Sequence, residues 1–214
     1  MRIIEPSYEI LTAISEDGIK ELQHIEKIAR VCYKSENLII RNGESAKKMV
    51  KMLIGRGHEA MIEHSSLSVK FTVDRGVSHE LVRHRIASFA QESTRYCNYS
   101  KDKFDNGITF IKPFFFKEGT TEYEEWEDAM DNAEQSYLFL INECGATPQE
   151  ARSVLPNSTK TEITITANYR EWRNFFKLRT AKAAHPQMVQ ITRPLLKELK
   201  TRLPIIFDDI EVEE

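Results

Sequence analysis

Apolar residues along this chain recur at two periods, and the changes between them mark out its elements. Over residues 17–33, Ile19, Leu22, Ile25, Ile28, Ala29 and Cys32 return at steps of three and four, which lays one apolar stripe along a helix. A second helix is predicted over Glu44–Gly55, burying Ala46, Met49, Val50 and Leu53, with the turn at Gly57. In Ser66–Asp74 the period falls to two: Leu67, Val69, Phe71 and Val73 alternate with polar residues, as in a half-buried strand. The helical step returns over 77–87, with Val77, Leu81, Val82 and Ile86 on the core side and Arg83, His84 and Arg85 at the C-terminal end.

No period is sustained from 88 to about 107, a loop length that compact domains keep for function or motion. Beyond it the pattern predicts a short strand at 108–111, a long helix at 122–144 and a short helix at 149–154 stopped by Pro156. Residues 161–167 alternate again, with Ile163, Ile165 and Ala167 on one face. Tyr169–Arg179 is predicted helical, burying Trp172, Phe175, Phe176 and Leu178. Residues 187–202 are predicted helical too, with Pro194 kinking the helix or starting a new segment, and the acidic end 208–214 is expected to fray. Helices outweigh strands, and no repeat or linker divides the chain. The expectation is an α+β fold in one domain spanning residues 1–214.

Composition narrows the function. Thirty Lys and Arg against 33 Asp and Glu give a net charge of -3, which argues against a protein that coats nucleic acid through basicity. With 41% hydrophobic residues the chain is too apolar to be disordered. No apolar run reaches the roughly 18 to 20 residues of a membrane span, and MRIIEPSYEI lacks the features of a signal peptide. The three cysteines, Cys32, Cys97 and Cys144, form no CxxC pair and suit a reducing compartment. A cytoplasmic protein is expected, with no nucleic-acid or membrane partner.

The densest chemistry lies at 83–96, RHRIASFAQESTRY. Arg83, His84 and Arg85 alone read as cations stabilising a helix end. Ser93, Thr94 and Arg95 change that reading, because guanidinium, hydroxyl and backbone N–H groups are what a phosphate oxygen accepts from. His58, His64, His79 and His84 match no zinc-peptidase spacing, so no metal site is assigned. Ser93 lacks a nucleophile elbow, and no histidine stands near Cys97 in sequence; both read as binding or structural residues. No GxGxxG or GxxxxGK[ST] is present, which excludes the usual dinucleotide and P-loop sites. Asn168 can cap the helix that follows it, and Arg170 and Asn174, four apart, share a face. A module that holds single-stranded nucleic acid through Arg83, Arg85, Arg95, Tyr96 and Tyr99 is disfavoured by the charge.

Taken in order, the segment resembles the signature of flavin-dependent thymidylate synthases: Arg-His-Arg, seven residues, then Ser, with Arg95 and Tyr96 in their usual places. GHEAMIEH at 57–64, ARSVLP at 151–156 and the series Asn168, Arg170, Asn174, Arg179 resemble further blocks of that family. The resemblance covers roughly residues 20 to 200. It implies reductive methylation of dUMP to dTMP, with methylenetetrahydrofolate as carbon donor, NADPH as reductant and non-covalent FAD as hydride carrier. It also implies a small antiparallel sheet flanked by helices, and active sites formed across the subunits of a homotetramer. By that resemblance Arg83, Gln91, Ser93, Thr94, Arg95 and Arg152 would hold dUMP, Arg152 reaching in from a neighbouring chain. His58, Arg83, His84, Arg85, Gln91, Asn168, Arg170 and Asn174 would face FAD, and Arg179 would bind the uracil and act as the catalytic group. Ala60, Glu80, Ala90 and Gln91 depart from the family pattern. The alternative they raise is a catalytically silent, nucleotide-binding homologue.

Overall fold

The computed structural model describes residues 1–212. Strands β1 (Arg2–Ile4) and β2 (Ser7–Ile10) open the chain, followed by helices α1 (Ile19–Val31) and α2 (Glu44–Gly55). A 3-10 turn over Glu59–His64 leads to β3 (Ser66–Asp74), then α3 (Arg75–Leu81), β4 (Ser88–Gln91) and β5 (Thr109–Ile111). The long α4 (Thr121–Asn142), the short α5 (Pro148–Ala151), β6 (Lys160–Asn168), α6 (Tyr169–Arg179) and α7 (Pro186–Arg202) complete it. The α+β expectation holds. A four-stranded sheet has the order β2-β3-β6-β4, and β1 forms a separate parallel pair with β5. The two long strands run antiparallel: the Tyr169 amide donates to Ser65 at one end and the Arg75 amide to Thr159 at the other.

Helix α2, strand β3 and helix α6 fall at the predicted bounds. Three differences stand out. The helix predicted over 77–87 ends at Leu81, and Val82 and Ile86, expected on its core side, are 39% and 71% exposed. Strands β1, β2 and β4 were not foreseen, being three or four residues long and without a strong period. Helix α7 is continuous across Pro194, so no new segment begins there.

Contacts gather the chain into two compact units, each assembled from separated segments. The first comprises residues 1–8, 70–83 and 89–164. Its core is one face of α4 (Tyr123, Trp126, Met130, Tyr137) packed with Tyr99, Ile108, Phe110 and Ala151. Fully burying side chains of this size contributes about 1.5–3 kcal/mol each. Asp74 starts α3 by accepting from the Val77 amide, and Glu150 reaches back 2.8 Å to the Thr147 amide, a capping box that begins α5 beside Pro148.

The second unit comprises residues 9–69, 84–88 and 165–214. Helix α1 buries Leu22 and Ile25 against the Ala46, Val50 and Leu53 side of α2. The close approach explains Gly43 before α2: its φ is 86°, and a Cβ there would stand 2.4 Å from Ile19 Cγ2. On α6, Trp172, Phe175 and Phe176 are buried as predicted, while Leu178 is 56% exposed. The Trp172 indole donates to the Leu67 carbonyl, tying α6 to β3. The frayed end expected over 208–214 is corrected for its first residues: Ile210 is buried, and Asp209 pairs with the buried Arg173 at 2.6 and 2.7 Å. Residues 213 and 214 lie outside the described residues.

Candidate active site

In the second unit the site is built on α6. Asn168 ends β6 and caps the helix, accepting from the Glu171 amide at 2.9 Å. Glu171, Phe175 and Arg179 follow at four-residue intervals and so share one helix face. The His84 imidazole lies along that face. Its Nδ1 is 2.8 Å from Glu171 Oε1, its ring meets Phe175 edge-on at 4.9 Å, and its Nε2 accepts from Arg179 Nε at 3.0 Å. Arg179 is further fixed through its backbone, whose carbonyl accepts from Thr192 at 2.8 Å. Burial holds the His84 imidazolium below the usual histidine value; the Glu171 hydrogen bond opposes that shift, and the Arg179 charge adds to it.

At the Glu171 end of this line opens a cleft of about 540 Å³, lined by Glu59, Glu63, Ile86, Asn168, Arg170, Glu171, Asn174 and Lys177. Arg170 donates to Glu63 at 2.5 Å and stands 3.9 Å from Glu59. Asn174 donates to both Glu171 oxygens at 3.3 Å. His58 is exposed at the start of the 3-10 turn that carries these two glutamates, and Arg85 is exposed near Ile86 in sequence.

In the first unit the candidates lie on the loop after β4. Glu92 anchors it: its amide donates to the Glu162 carbonyl, and its carboxylate accepts from Lys160 at 2.8 Å and from Tyr99 Oη at 2.9 Å. Burial and that carboxylate raise the Tyr99 pKa well above its ordinary value, so the phenol remains a donor. The chain then turns tightly, with the Tyr96 and Cys97 amides donating to the Ser93 carbonyl. Thr94 is buried, and Ser93 Oγ accepts from the Arg95 amide at 3.3 Å. The Arg95 guanidinium stacks 5.3 Å over the Tyr96 ring and donates from Nε to Gln149 of α5. Arg152 stands three residues beyond Gln149, exposed at the start of a 3-10 turn. Gln91 turns inward, donating to Ser78 at 3.0 Å and Thr161 at 3.3 Å, and Arg83 is exposed just past α3.

Each unit therefore brings some candidates together. The second gathers His84, Asn168, Arg170, Asn174 and Arg179, and the first gathers Ser93, Thr94, Arg95 and the segment leading to Arg152. Residues 17–205 match the family described as thymidylate synthase complementing protein. The chain belongs to this family. It is 31% identical to a flavin-dependent thymidylate synthase from Corynebacterium aurimucosum, over 92% of this chain and 83% of that protein. It is 33% identical to a protein of the same name from Geobacter sulfurreducens, over 85% and 78% of the two chains. Among solved structures, a UMP/dUMP methylase, PolB, from Streptomyces cacaoi, bound with 5-Br dUMP, shares its fold. The TM-score is 0.77 over 97% of this chain and 96% of that one, at 22% identity.

For this family member, reading the sequence missed two carboxylates. Glu171 is buried between His84 and Asn174, yet near a helix N-terminus it reads as a group that merely suits the dipole. The spacing Glu171, Phe175, Arg179 was the available signal. Glu92, inside the Arg83–Tyr96 segment, gave no local sign of the three groups that bond to its side chain.

Proposed function

We propose that this chain catalyses the reductive methylation of dUMP to dTMP. Methylenetetrahydrofolate would supply the carbon and NADPH the reducing equivalents. Membership of the family supports the reaction class, and the observation that carries the reading is the Arg179 guanidinium held by a buried histidine.

The lining of the second unit's cleft fits a flavin dinucleotide. Arg170 and Lys177 suit its phosphates, Glu59 and Glu63 suit ribose hydroxyls, Asn168 and Asn174 suit polar ring edges, and Ile86 offers apolar surface. His58, His84 and Arg85 of the same unit belong to the set assigned to this cofactor, and the family resemblance adds Arg83 and Gln91. Bound there, FAD supplies hydride chemistry. The chain's own residues supply position and charge. Arg83, Gln91, Ser93, Thr94, Arg95 and Arg152 hold dUMP, the arginines meeting phosphate oxygens with charge-assisted hydrogen bonds. A guanidinium is a hydrogen-bond donor with no acceptor lone pair, so Arg179 acts by charge rather than as a base; it stabilises negative charge that develops on the uracil. No thiolate is needed for that, consistent with Cys97, whose thiol burial holds above its ordinary pKa.

No described helix is long and apolar enough to cross a membrane. The reading places the protein in the cytoplasm as a homotetramer, its single functional domain sharing active sites across subunits, with Arg152 donated to a neighbouring chain. The test is direct. Purified protein should be yellow, bleach with NADPH, and form dTMP with release of tritium from C5-labelled dUMP once folate is added. Protein that binds dUMP yet forms no dTMP when FAD, NADPH and methylenetetrahydrofolate are all supplied would overturn it.

A further inference from the structure

The line of bonds on α6 does more than place an arginine. An Arg Nε–H only donates, so at 3.0 Å the His84 Nε2 facing it must present a lone pair. The ring proton then sits on Nδ1, where Glu171 Oε1 accepts it at 2.8 Å. The opposite tautomer, or an imidazolium, would set N–H against N–H. Glu171 is itself held from two directions, its carboxylate by Asn174 and its backbone amide by Asn168. None of these carboxylate bonds is local to His84, which lies 87 residues away in sequence from Glu171.

We propose that Glu171 is a positioning residue of this reaction: through the Nδ1–H tautomer of His84 it fixes the guanidinium plane of Arg179. The proposal rests on the reading of Arg179 as the group that meets the uracil. The direction of control runs from the helix N-terminus to its C-terminus. Asn168 and Asn174 orient Glu171, Glu171 selects the tautomer, and the tautomer decides whether His84 Nε2 can accept from Arg179 Nε. Without the carboxylate nothing holds the proton on Nδ1. A His84 ring with its proton on Nε2 would push the guanidinium away from its site. Sub-ångström placement of an electrostatic group is what such support protects.

The test uses the full chain with bound flavin, labelled with ¹⁵N-histidine, in solid-state NMR, the His84 signals being assigned by their loss in His84→Gln. The parent should show a protonated Nδ1 and a bare Nε2. Glu171→Gln, whose amide oxygen still accepts, should keep that pattern, and Glu171→Leu should move the proton to Nε2 in part or whole. Turnover is measured per bound flavin, so that lost cofactor is not read as lost positioning. Glu171→Leu should lower kcat about 10- to 100-fold, less than losing the arginine itself, with KM for dUMP within about threefold. Glu171→Gln should stay within about threefold of the parent in kcat. A parent spectrum with Nε2 protonated overturns the proposal, and it decides even if Glu171→Leu fails to fold. So does a Glu171→Leu protein that keeps the Nδ1–H form, or a Glu171→Gln protein as impaired as Glu171→Leu. A parent that never methylates dUMP sinks the functional reading instead, which separates the two failures.

Discussion

Arg179, in one unit, has already given its Nε–H to a buried histidine, whereas Arg83 and Arg152, in the other, stand exposed without an ion-pair partner among the described residues. Arg95 lies between these extremes, stacked on Tyr96 and lightly held by Gln149. The contrast separates two uses of one side chain. A guanidinium fixed before the ligand arrives loses little freedom on binding, and its charge acts where charge develops. An exposed one gives up about 2 kcal/mol of rotamer entropy when it grips a phosphate and recovers it through charge-assisted bonds. The first use should show in rate, the second in affinity.

The largest effect expected is from Arg179→Ala, which should lower turnover about 10²- to 10³-fold while dUMP still binds within about tenfold of the parent affinity. Arg179→Lys should not recover the loss, because an ammonium cannot reproduce the planar fork whose Nε–H meets His84. Steady-state kinetics with a parallel titration of dUMP checks both; turnover within a few-fold of the parent would remove the assigned role. Next come Arg95→Ala and Arg152→Ala. Each loses a charge-assisted bond of about 1.5–3 kcal/mol, so dUMP should bind roughly 10- to 100-fold more weakly, with kcat at saturation near the parent value. Deoxyuridine, which has no phosphate, should bind parent and variants alike in calorimetry. A loss in kcat without a loss in affinity would reverse the comparison between the two units.

Much of the second unit's candidate site was legible in the sequence. Asn168 as cap and the helix ending at Arg179 follow from local rules, and they hold. His84 was placed on a helix that stops at Leu81, because Val82 and Ile86 keep the helical spacing although both are exposed. What holds His84 is bonding to Glu171 and Arg179, far along the chain, and such pairing leaves no mark on local periodicity. Strand β4 escaped for a related reason. Over four residues, alternation is too short to read, and it becomes a strand by lying beside β6. The Gln91 Nε2 donates to Ser78 and Thr161, contacts that depend on that strand and that no local pattern announces, while neither bond uses its Oε1.

A smaller effect separates the units in stability. Arg173 is buried and donates hydrogen bonds to Asp209, Glu59 and the Ile206 carbonyl. Asp209→Asn leaves that cation with part of its compensation, since Glu59 and Ile206 remain, and should cost about 1–3 kcal/mol in urea unfolding. Gln149→Ala, which removes only the exposed bond from Arg95, should cost no more than about 0.5 kcal/mol. Equal losses would show that the second unit's network is no tighter than the loop of the first.

The smallest effect concerns pH. His84 is held neutral by burial, so its folded pKa lies below the ordinary 6.5. In the window beneath 6.5 the unfolded chain binds the extra proton more readily than the folded one. The stability contributed by the neutral imidazole is therefore present above that window and is lost as pH falls through the lowered folded value. As pH falls below about 6.5 the parent should lose more stability than His84→Gln. Turnover should fall on the same acid limb, because an imidazolium at Nε2 has no lone pair for the Arg179 Nε–H. Denaturant titrations of both proteins across this range measure the difference. If the two curves stay parallel, His84 is not the group that couples protonation to the fold, and the neutral acceptor assigned to Arg179 loses its support.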